Sequence, residues 1–187
     1  MRGSYNTFRP VYGFSVTMVR LPTTFEMLHG AEIGVSSGAG YDQIDIAPCT
    51  EKGIRVSNVP TAVDDATADV NMFLIIGALR NFNAGMISLR RGEWLRNSIP
   101  LGHDVEGKLL GILGMGGIGR NLKRKAEAFD MKIQYHNRKR LPEDLEHGAQ
   151  YVSFDELLAT SDVISLNLPL NVSFEPTSGE STFMVKG

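Results

Sequence analysis

Three glycines at a fixed spacing offer the clearest chemistry in this sequence. They are Gly114, Gly116 and Gly119, a G-x-G-x-x-G pattern within the run GILGMGGIGR. In a strand-to-helix turn, the first glycine permits the tight turn, the second lets the backbone approach a pyrophosphate, and the third lets helix and strand pack closely. The pyrophosphate would lie at the helix N-terminus, where unpaired N–H groups and the helix dipole favour an anion. The pattern predicts a dinucleotide site, and a generic glycine-rich turn is the alternative.

The elements around this turn are those that a dinucleotide site requires. The apolar run LLGIL at 109–113 is typical of a buried parallel strand, and residues 117–128 predict the helix that follows. Further elements are predicted as strands at 131–135, 149–153 and 162–168 and as a short helix at 154–160. Strands that alternate with helices indicate an α/β fold with a doubly wound parallel sheet.

The end of the second predicted strand bears on the choice of cofactor. An acidic residue about 20 positions after the turn would bind the ribose 2′-hydroxyl of NAD, but Asn137 stands there, within the segment HNRKR. Arg138 or Arg140 could hold a 2′-phosphate through a charge-assisted pair. NADP(H) is therefore favoured over NAD(H). The basic cluster could also be a solvated loop, whereas a nucleic-acid patch is less expected because no aromatic stacking platform accompanies it.

The first half of the chain predicts fewer elements. Residues 31–37 and 53–60 predict short strands, and residues 62–83 predict a long helix with Thr61 as its N-cap. The predicted buried face of this helix consists of residues that recur at three- and four-residue steps, namely Val63, Ala66, Val70, Phe73, Leu74, Gly77 and Ala78. Gly85 is expected to end the helix.

Composition and charge are those of an ordinary globular protein. The chain has 187 residues, of which 42% are hydrophobic, enough for one large domain or two small ones. The net charge of −2 gives no general reason to expect nucleic acid or an anionic membrane as a partner. The single cysteine, Cys49, fits a reducing compartment, so a cytoplasmic location is expected. We expect no signal peptide, no membrane span and no metal site.

Taken together and in order, these segments resemble the D-isomer-specific 2-hydroxyacid dehydrogenases. The resemblance runs from about residue 31 to about residue 171, through GAGYDQID, RRGEW, the glycine turn and SDVISLNLPLN. It is nearest to the fungal glyoxylate/hydroxypyruvate reductase-like or D-mandelate dehydrogenase-like branch. It implies a Rossmann-type cofactor domain beside a second α/β substrate domain. It also implies NAD(P)-dependent reduction of a small 2-keto acid, such as glyoxylate or hydroxypyruvate, by a homodimer.

The resemblance further implies which residues bind the substrate and the cofactor. The backbone of Gly38, Ala39 and Gly40 corresponds to the loop that holds the substrate carboxylate, and consecutive N–H groups in such a turn form an anion nest. The expected cofactor-binding residues lie in three segments: Gly114, Met115, Gly116, Gly117, Ile118 and Gly119; Asn137, Arg138 and Arg140; and Asn167, Leu168 and Pro169.

Other segments have structural interpretations. Asp42 and Asp45 are expected to cap the turn that follows them. The helix at 62–83 and the segment around Trp94 resemble the part of the family that forms the dimer interface. From the residues alone, an ordinary intramolecular core is favoured for both segments.

The family's catalytic side chains have no counterparts in this sequence. In the family an arginine polarises the substrate carbonyl, a histidine donates the proton and a glutamate tunes the histidine. The resemblance places all three after residue 187, and residues 181–187 faintly resemble the helix and turn before the arginine. The four histidines match no motif: His29, His103, His136 and His147. No catalytic residue is assigned, so the resemblance implies an NAD(P)-dependent enzyme family while the chain alone is expected to be inactive.

We therefore expect a partial chain, with a partial substrate domain at 1–60 and a partial NAD(P)-binding domain at 61–187. Its tail, from residue 171, is expected to be irregular. Half of the usual sheet would be missing, so we expect an exposed apolar patch and a free sheet edge. Besides the dehydrogenase, two alternatives remain at this point. One is a catalytically inactive dinucleotide-binding fragment or regulator, and the other is a fragment that does not fold stably.

Overall fold

The computed structural model describes residues 8–10, 33–35, 39–41, 44–94, 100–168 and 183–186. They fall into two compact units. The first unit contains 8–10, 183–186 and the described part of 65–168. The second contains 33–35, 39–41 and 44–64.

The described residues alternate between strands and helices along most of the chain. The strands are β1 (Phe8–Pro10), β2 (Ile33–Val35), β3 (Arg55–Ser57), β4 (Leu109–Leu113), β5 (Lys132–His136), β6 (Gln150–Tyr151), β7 (Val163–Leu166) and β8 (Phe183–Lys186). The helices are α1 (Ile46–Glu51), α2 (Asp64–Leu79), α3 (Phe82–Arg90), α4 (Gly117–Glu127), α5 (Glu143–Glu146) and α6 (Phe154–Thr160).

A six-stranded sheet forms the centre of the first unit, with the strand order β1-β8-β7-β4-β5-β6. The four strands β7, β4, β5 and β6 are parallel. Their order is that of the first half of a Rossmann-type sheet, in which the chain reverses direction across the sheet after the third strand. The predicted doubly wound parallel sheet is therefore confirmed. Leu113 at the carboxyl end of β4 pairs with His136 on β5 and Leu166 on β7, so these three strands end together.

The other edge of the sheet differs from the expectation. β8 pairs with β7 in the antiparallel direction, and β1 pairs with β8. The tail was expected to be irregular, with a helix and turn at 181–187, and this prediction is wrong at residues 183–186. The expected free edge beside the fourth parallel strand is wrong too. The buried strand β7 has N–H and C=O groups that need partners, and the short apolar run FMVK supplies them.

The long helix predicted at 62–83 is two helices. α2 ends at Leu79, and α3 begins at Phe82 at an angle of 75°. Asn81 lies between them in the left-handed region, with φ of +55°, so the break occurs before Gly85, the predicted terminator. α2 begins at Asp64, three residues after the predicted N-cap. Among the described helices none is long and apolar enough alone to cross a membrane, and the bent α2–α3 pair meets that test only by combined length and composition.

The buried face of α2 also differs from the predicted one. Val70 and Phe73 are 55% and 65% exposed. The buried residues are instead Ala68, Asn71, Met72, Ile75 and Leu79. The helix carries its own apolar residues on more than one side, so three- and four-residue steps fit more than one face. The sequence pattern cannot show which of these faces is buried.

The core of the first unit joins α2, the sheet and α4. Its buried members include Met72, Ile75, Leu110, Ile112, Leu122, Tyr135 and Val163. At the surface Lys125 on α4 forms ion pairs with Asp65 and Asp69 on α2, at 3.0 Å and 2.6 Å. These pairs lower the pKa of Asp65 and raise the pKa of Lys125.

The second unit contains a small βαβ arrangement. β2 and β3 are parallel, with Ile33 opposite Arg55, and α1 lies between them in sequence. The carboxylate of Asp45 accepts a hydrogen bond from the backbone N–H of Ala47 at 3.3 Å and so caps α1, as predicted. Asp42 lies outside the described residues.

Candidate dinucleotide site

The three glycines of the turn occupy different environments. Gly114 follows β4 with φ of +98°, and a Cβ there would lie 2.7 Å from the carbonyl oxygen of Asn167. A Cβ on Gly119 would lie 2.5 Å from the carbonyl oxygen of Gly114. A Cβ on Gly116 would meet no atom of the described residues within 4 Å. The first and third glycines are thus required by the turn itself, whereas the second faces open space.

The open space lies at the N-terminus of α4. Gly116 is the N-cap residue, and no side chain within the described ranges caps the helix. The N–H groups of the first turn, Gly117, Ile118 and Gly119, have no partner within the helix by its geometry. The Nε of Arg120 donates to the carbonyl oxygen of Gly116 at 3.3 Å, which adds a positive charge one turn along. The residues present fit an anionic group such as a pyrophosphate.

Asn137 connects the glycine turn to the end of β5. Its Oδ1 accepts a hydrogen bond from the backbone N–H of Met115 at 2.7 Å, and Met115 is buried. Its own carbonyl oxygen accepts from the hydroxyl of Tyr151 at 3.1 Å. Because an amide carries no charge, Asn137 at this position does not repel a phosphate as a carboxylate would.

The two arginines after Asn137 have different partners. Arg138 is exposed, and its guanidinium forms no hydrogen bond or ion pair with any residue in the described part of the chain. Arg140 donates from Nε and Nη2 to the two carboxylate oxygens of Glu146, at 2.7 Å and 2.9 Å. The side chain of Glu146 is only 6% exposed, and it also accepts from the hydroxyl of Tyr135 at 2.5 Å.

These contacts shift the protonation of the group around Glu146. Arg140, and after it Tyr135, lower the pKa of Glu146 to about 2. Burial, together with the neighbouring carboxylate, raises the pKa of Tyr135, and Glu146 raises the pKa of Arg140. The carboxylate and the guanidinium are therefore both charged across the neutral range.

A third segment approaches the turn from the end of β7. The backbone N–H of Asn167 donates to the carbonyl oxygen of Leu113 at 2.8 Å. The Oδ1 of Asn167 accepts from the Nδ2 of Asn71 at 2.8 Å, and its Nδ2 donates to the Oγ of Ser165 at 3.0 Å. Leu168 follows, with its Cδ2 directed toward Gly114. Pro169 lies outside the described residues.

Asn71 was not among the site residues predicted from the sequence. It is 3% exposed and holds the amide of Asn167 from α2. Its signal in the sequence is a single amide in the middle of an otherwise apolar helical segment, because a buried amide needs a partner. Its distance along the chain from Asn167 gave no way to identify that partner.

The predicted substrate loop belongs to the second unit. The carbonyl oxygen of Ala39 accepts from the Nδ2 of Asn58 at 2.7 Å, which ties the loop to the residue after β3. Gly40 is exposed. Gly38 lies outside the described residues, so the full three-residue nest remains a prediction.

The histidines in the described ranges have ordinary surroundings. The Nδ1 of His136 donates to the carbonyl oxygen of Val152 at 2.8 Å, and its ring stacks on Tyr151 with centroids 5.7 Å apart. His103 and His147 are exposed, and His29 lies outside these ranges. Across the same ranges, no group of three or more His, Cys, Asp or Glu side chains is placed to hold a metal ion.

Comparison with known proteins agrees with this geometry. Residues 72–184 match the sequence model of a family described as D-isomer specific 2-hydroxyacid dehydrogenase, NAD binding domain. That match, which includes the glycine turn, implies a nicotinamide dinucleotide as cofactor.

Individual relatives point to the same family. The chain is 59% identical over 147 residues to 4-methyl-2-oxopentanoate reductase A of Aspergillus oryzae, covering 79% of this chain and 44% of that protein. It is 48% identical over 140 residues to glyoxylate reductase 1 of Saccharomyces cerevisiae, covering 72% and 40% respectively. The crystal structure of a glyoxylate reductase from Paecilomyes thermophila is 60% identical with a TM-score of 0.67, covering 73% of this chain and 42% of that one. The chain thus spans less than half the length of these relatives.

Proposed function

Because the chain belongs to the D-isomer-specific 2-hydroxyacid dehydrogenase family, we propose that it serves the NADP(H)-dependent reduction of a small 2-keto acid such as glyoxylate or hydroxypyruvate. The observation that carries this proposal is the turn at Gly116, which leaves the N-terminus of α4 open to an anion. The names of two relatives, a glyoxylate reductase and a 4-methyl-2-oxopentanoate reductase, support the same class of reaction.

In this proposal the chain binds one anionic group of each reactant: the pyrophosphate of the cofactor and the carboxylate of the keto acid. When bound, the nicotinamide cofactor supplies the hydride for the substrate carbonyl. The residues that would hold its pyrophosphate are Gly114, Met115, Gly116, Gly117, Ile118 and Gly119. Asn167, Leu168 and Pro169 are proposed as further cofactor-binding residues, because they match the family's segment at this point of the chain. The backbone of Gly38, Ala39 and Gly40 would bind the carboxylate of the keto acid.

The preference for NADP(H) rests on the residues that follow β5. Asn137 replaces the acid that would bind a ribose 2′-hydroxyl, and Arg138 offers an exposed guanidinium next to it. A guanidinium binds a phosphate through two parallel charge-assisted hydrogen bonds. Arg140 belongs to the same basic segment, but two of its nitrogens already contact Glu146.

We also propose a homodimer in the cytoplasm. Large apolar side chains are exposed on α2 and α3 and after them: Val70, Phe73, Phe82, Met86, Leu89 and Trp94. An exposed apolar surface of this kind marks a contact site between proteins, and these residues lie in the segments that resemble the family's dimer interface. The lone, buried Cys49 fits a reducing compartment.

Calorimetric titration of the purified chain with NADPH and with NADH tests the cofactor proposal. Wild type should bind NADPH more tightly than NADH. Arg138→Glu should weaken NADPH binding by about tenfold or more, the equivalent of one charge-assisted hydrogen bond, and should leave NADH binding nearly unchanged.

Lys132→Glu is the matched control, because it makes the same change of charge at the opposite end of β5. Equal affinity of wild type for the two cofactors would refute the NADP(H) preference. Absorbance assays of glyoxylate-dependent NADPH oxidation then separate a reductase from a protein that only binds the dinucleotide.

A further inference from the structure

The ion pair between Arg140 and Glu146 begins two residues after Arg138, the candidate 2′-phosphate ligand. Arg140 is largely exposed, at 65%, but both contacts of its guanidinium with Glu146 are short. Glu146 is buried at the end of α5 and accepts a third hydrogen bond, from the hydroxyl of Tyr135 on β5. The hydroxyl of Tyr135 in turn accepts from the backbone N–H of Leu141 at 3.1 Å.

These contacts fix the segment 137–141 at both of its ends. At the first end, Asn137 is bound to Met115 and Tyr151. At the second end, Arg140 and Leu141 are bound to Glu146 and Tyr135. Arg138 lies between the two fixed ends.

A loop that is fixed before binding loses less conformational freedom when its ligand arrives. Free movement of the segment would let Arg138 point away from the cofactor, and ordering it would then reduce the affinity. The two arginines would accordingly have separate tasks: Arg138 contacts the phosphate, and Arg140 holds the loop.

We propose that Glu146 is a positioning residue for cofactor selectivity, which acts by holding Arg140 and Tyr135 so that the loop presents Arg138 to the 2′-phosphate. This inference rests on the proposed NADP(H) site. It assigns selectivity to a buried carboxylate that itself would touch neither the cofactor nor the substrate.

The test uses two ligands that differ only in the 2′-phosphate, 2′,5′-ADP and 5′-AMP, titrated into the purified chain. Glu146→Gln keeps the side-chain size and removes the charge. It should weaken 2′,5′-ADP binding by about three- to tenfold, the range set by the ordering of one long side chain. Binding of 5′-AMP should change by less than about twofold. Glu143→Gln, an exposed residue of the same short helix, is the matched control and should change neither affinity.

A double-mutant cycle separates positioning from a general structural role. If Glu146 acts through Arg138, the effect of Glu146→Gln on 2′,5′-ADP binding should disappear in an Arg138→Gln background. Additive effects, or an equal loss for both ligands, would overturn the proposal. Tighter 2′,5′-ADP binding by Glu146→Gln would also overturn it, because Arg140 would then be a phosphate ligand that Glu146 withholds.

A second variant keeps the test available if Glu146→Gln does not fold. Tyr135→Phe removes only the hydroxyl that contacts Glu146 and Leu141, and it should shift the affinities in the same direction. If wild type does not prefer 2′,5′-ADP over 5′-AMP, both the NADP(H) proposal and this inference fail. If wild type shows the preference and both variants retain it in full, only this inference fails.

Discussion

Replacing Gly116 or Gly119 with alanine separates the role of the glycine turn in cofactor binding from its role in the fold. At Gly116 a Cβ meets no atom within 4 Å among the residues that the structure describes, so this part of the protein has room for it. The position is the N-cap of α4, where alanine is less favourable than glycine by up to about 1 kcal/mol. We expect Gly116→Ala to melt within about 4 °C of wild type. Its affinity for NADPH should fall at least about tenfold, because the methyl group occupies the space that a pyrophosphate needs.

At Gly119 the same substitution acts on the fold. The added Cβ would lie 2.5 Å from the carbonyl oxygen of Gly114 and 3.2 Å from Cγ2 of Ile112, so α4 has to move away from β4. Overpacking against backbone costs up to about 3 kcal/mol, and the higher helix propensity of alanine recovers about 1 kcal/mol. The net loss of about 2 kcal/mol corresponds to a decrease of about 4–8 °C in melting temperature.

Thermal unfolding followed by circular dichroism, and calorimetric titration with NADPH on the same preparations, measure both effects. Gly77→Ala is the control, because the added Cβ would lie at an ordinary contact distance of 3.7 Å from the nearest atom, on Phe82. Gly77 lies within α2, outside the glycine turn. Wild-type NADPH affinity in Gly116→Ala would refute the close approach of the pyrophosphate at that residue. A wild-type melting temperature in Gly119→Ala would refute the contact between α4 and β4.

Three further predictions concern stability and assembly. Ser153→Ala should lower the free energy of unfolding by about 1 kcal/mol, measured by urea denaturation, because Ser153 Oγ accepts a hydrogen bond from the N–H of Glu156 and caps α6. The pKa of Glu146 is lowered to about 2 from 4.5, so its contribution to the free energy of unfolding is complete above pH 4.5 and is lost as the pH falls toward 2. The urea midpoint of Glu146→Gln should therefore change less between pH 4.5 and pH 2 than the midpoint of wild type. If the proposed dimer forms through α2, Phe73→Arg should convert it to a monomer in light scattering, and an unchanged mass would place the contact elsewhere.

The sequence was most informative where local rules decide the structure. The strand at 109–113 and the helix at 154–160 have the predicted bounds, because a buried parallel strand is one apolar run and Ser153 is a strong N-cap. The glycine spacing likewise predicted the turn, because two of its requirements are local: Gly114 has a positive φ, and Gly119 lies against the carbonyl oxygen of Gly114.

The sequence was least informative where distant residues decide the structure. The buried face of α2 depends on which side the sheet covers, and its apolar residues do not reveal that. Asn71 meets Asn167 only in the folded chain. Arg140 reaches Glu146 only because the chain turns between them, before α5. The sequence therefore did not show that Arg140 is paired with a carboxylate whereas Arg138 is not.

The pairing of β1 with β8 has a consequence for the order of folding. Phe8 lies opposite Lys186, so this ladder closes a loop of nearly the whole chain, whereas Leu109 opposite Lys132 closes a far shorter one. The longer loop costs about 2 kcal/mol more in closure entropy. β4 and β5 should therefore associate early, and β1 and β8 should join last. In hydrogen exchange the amides of β1 and β8 should open first, while those of β4 persist until the whole unit unfolds.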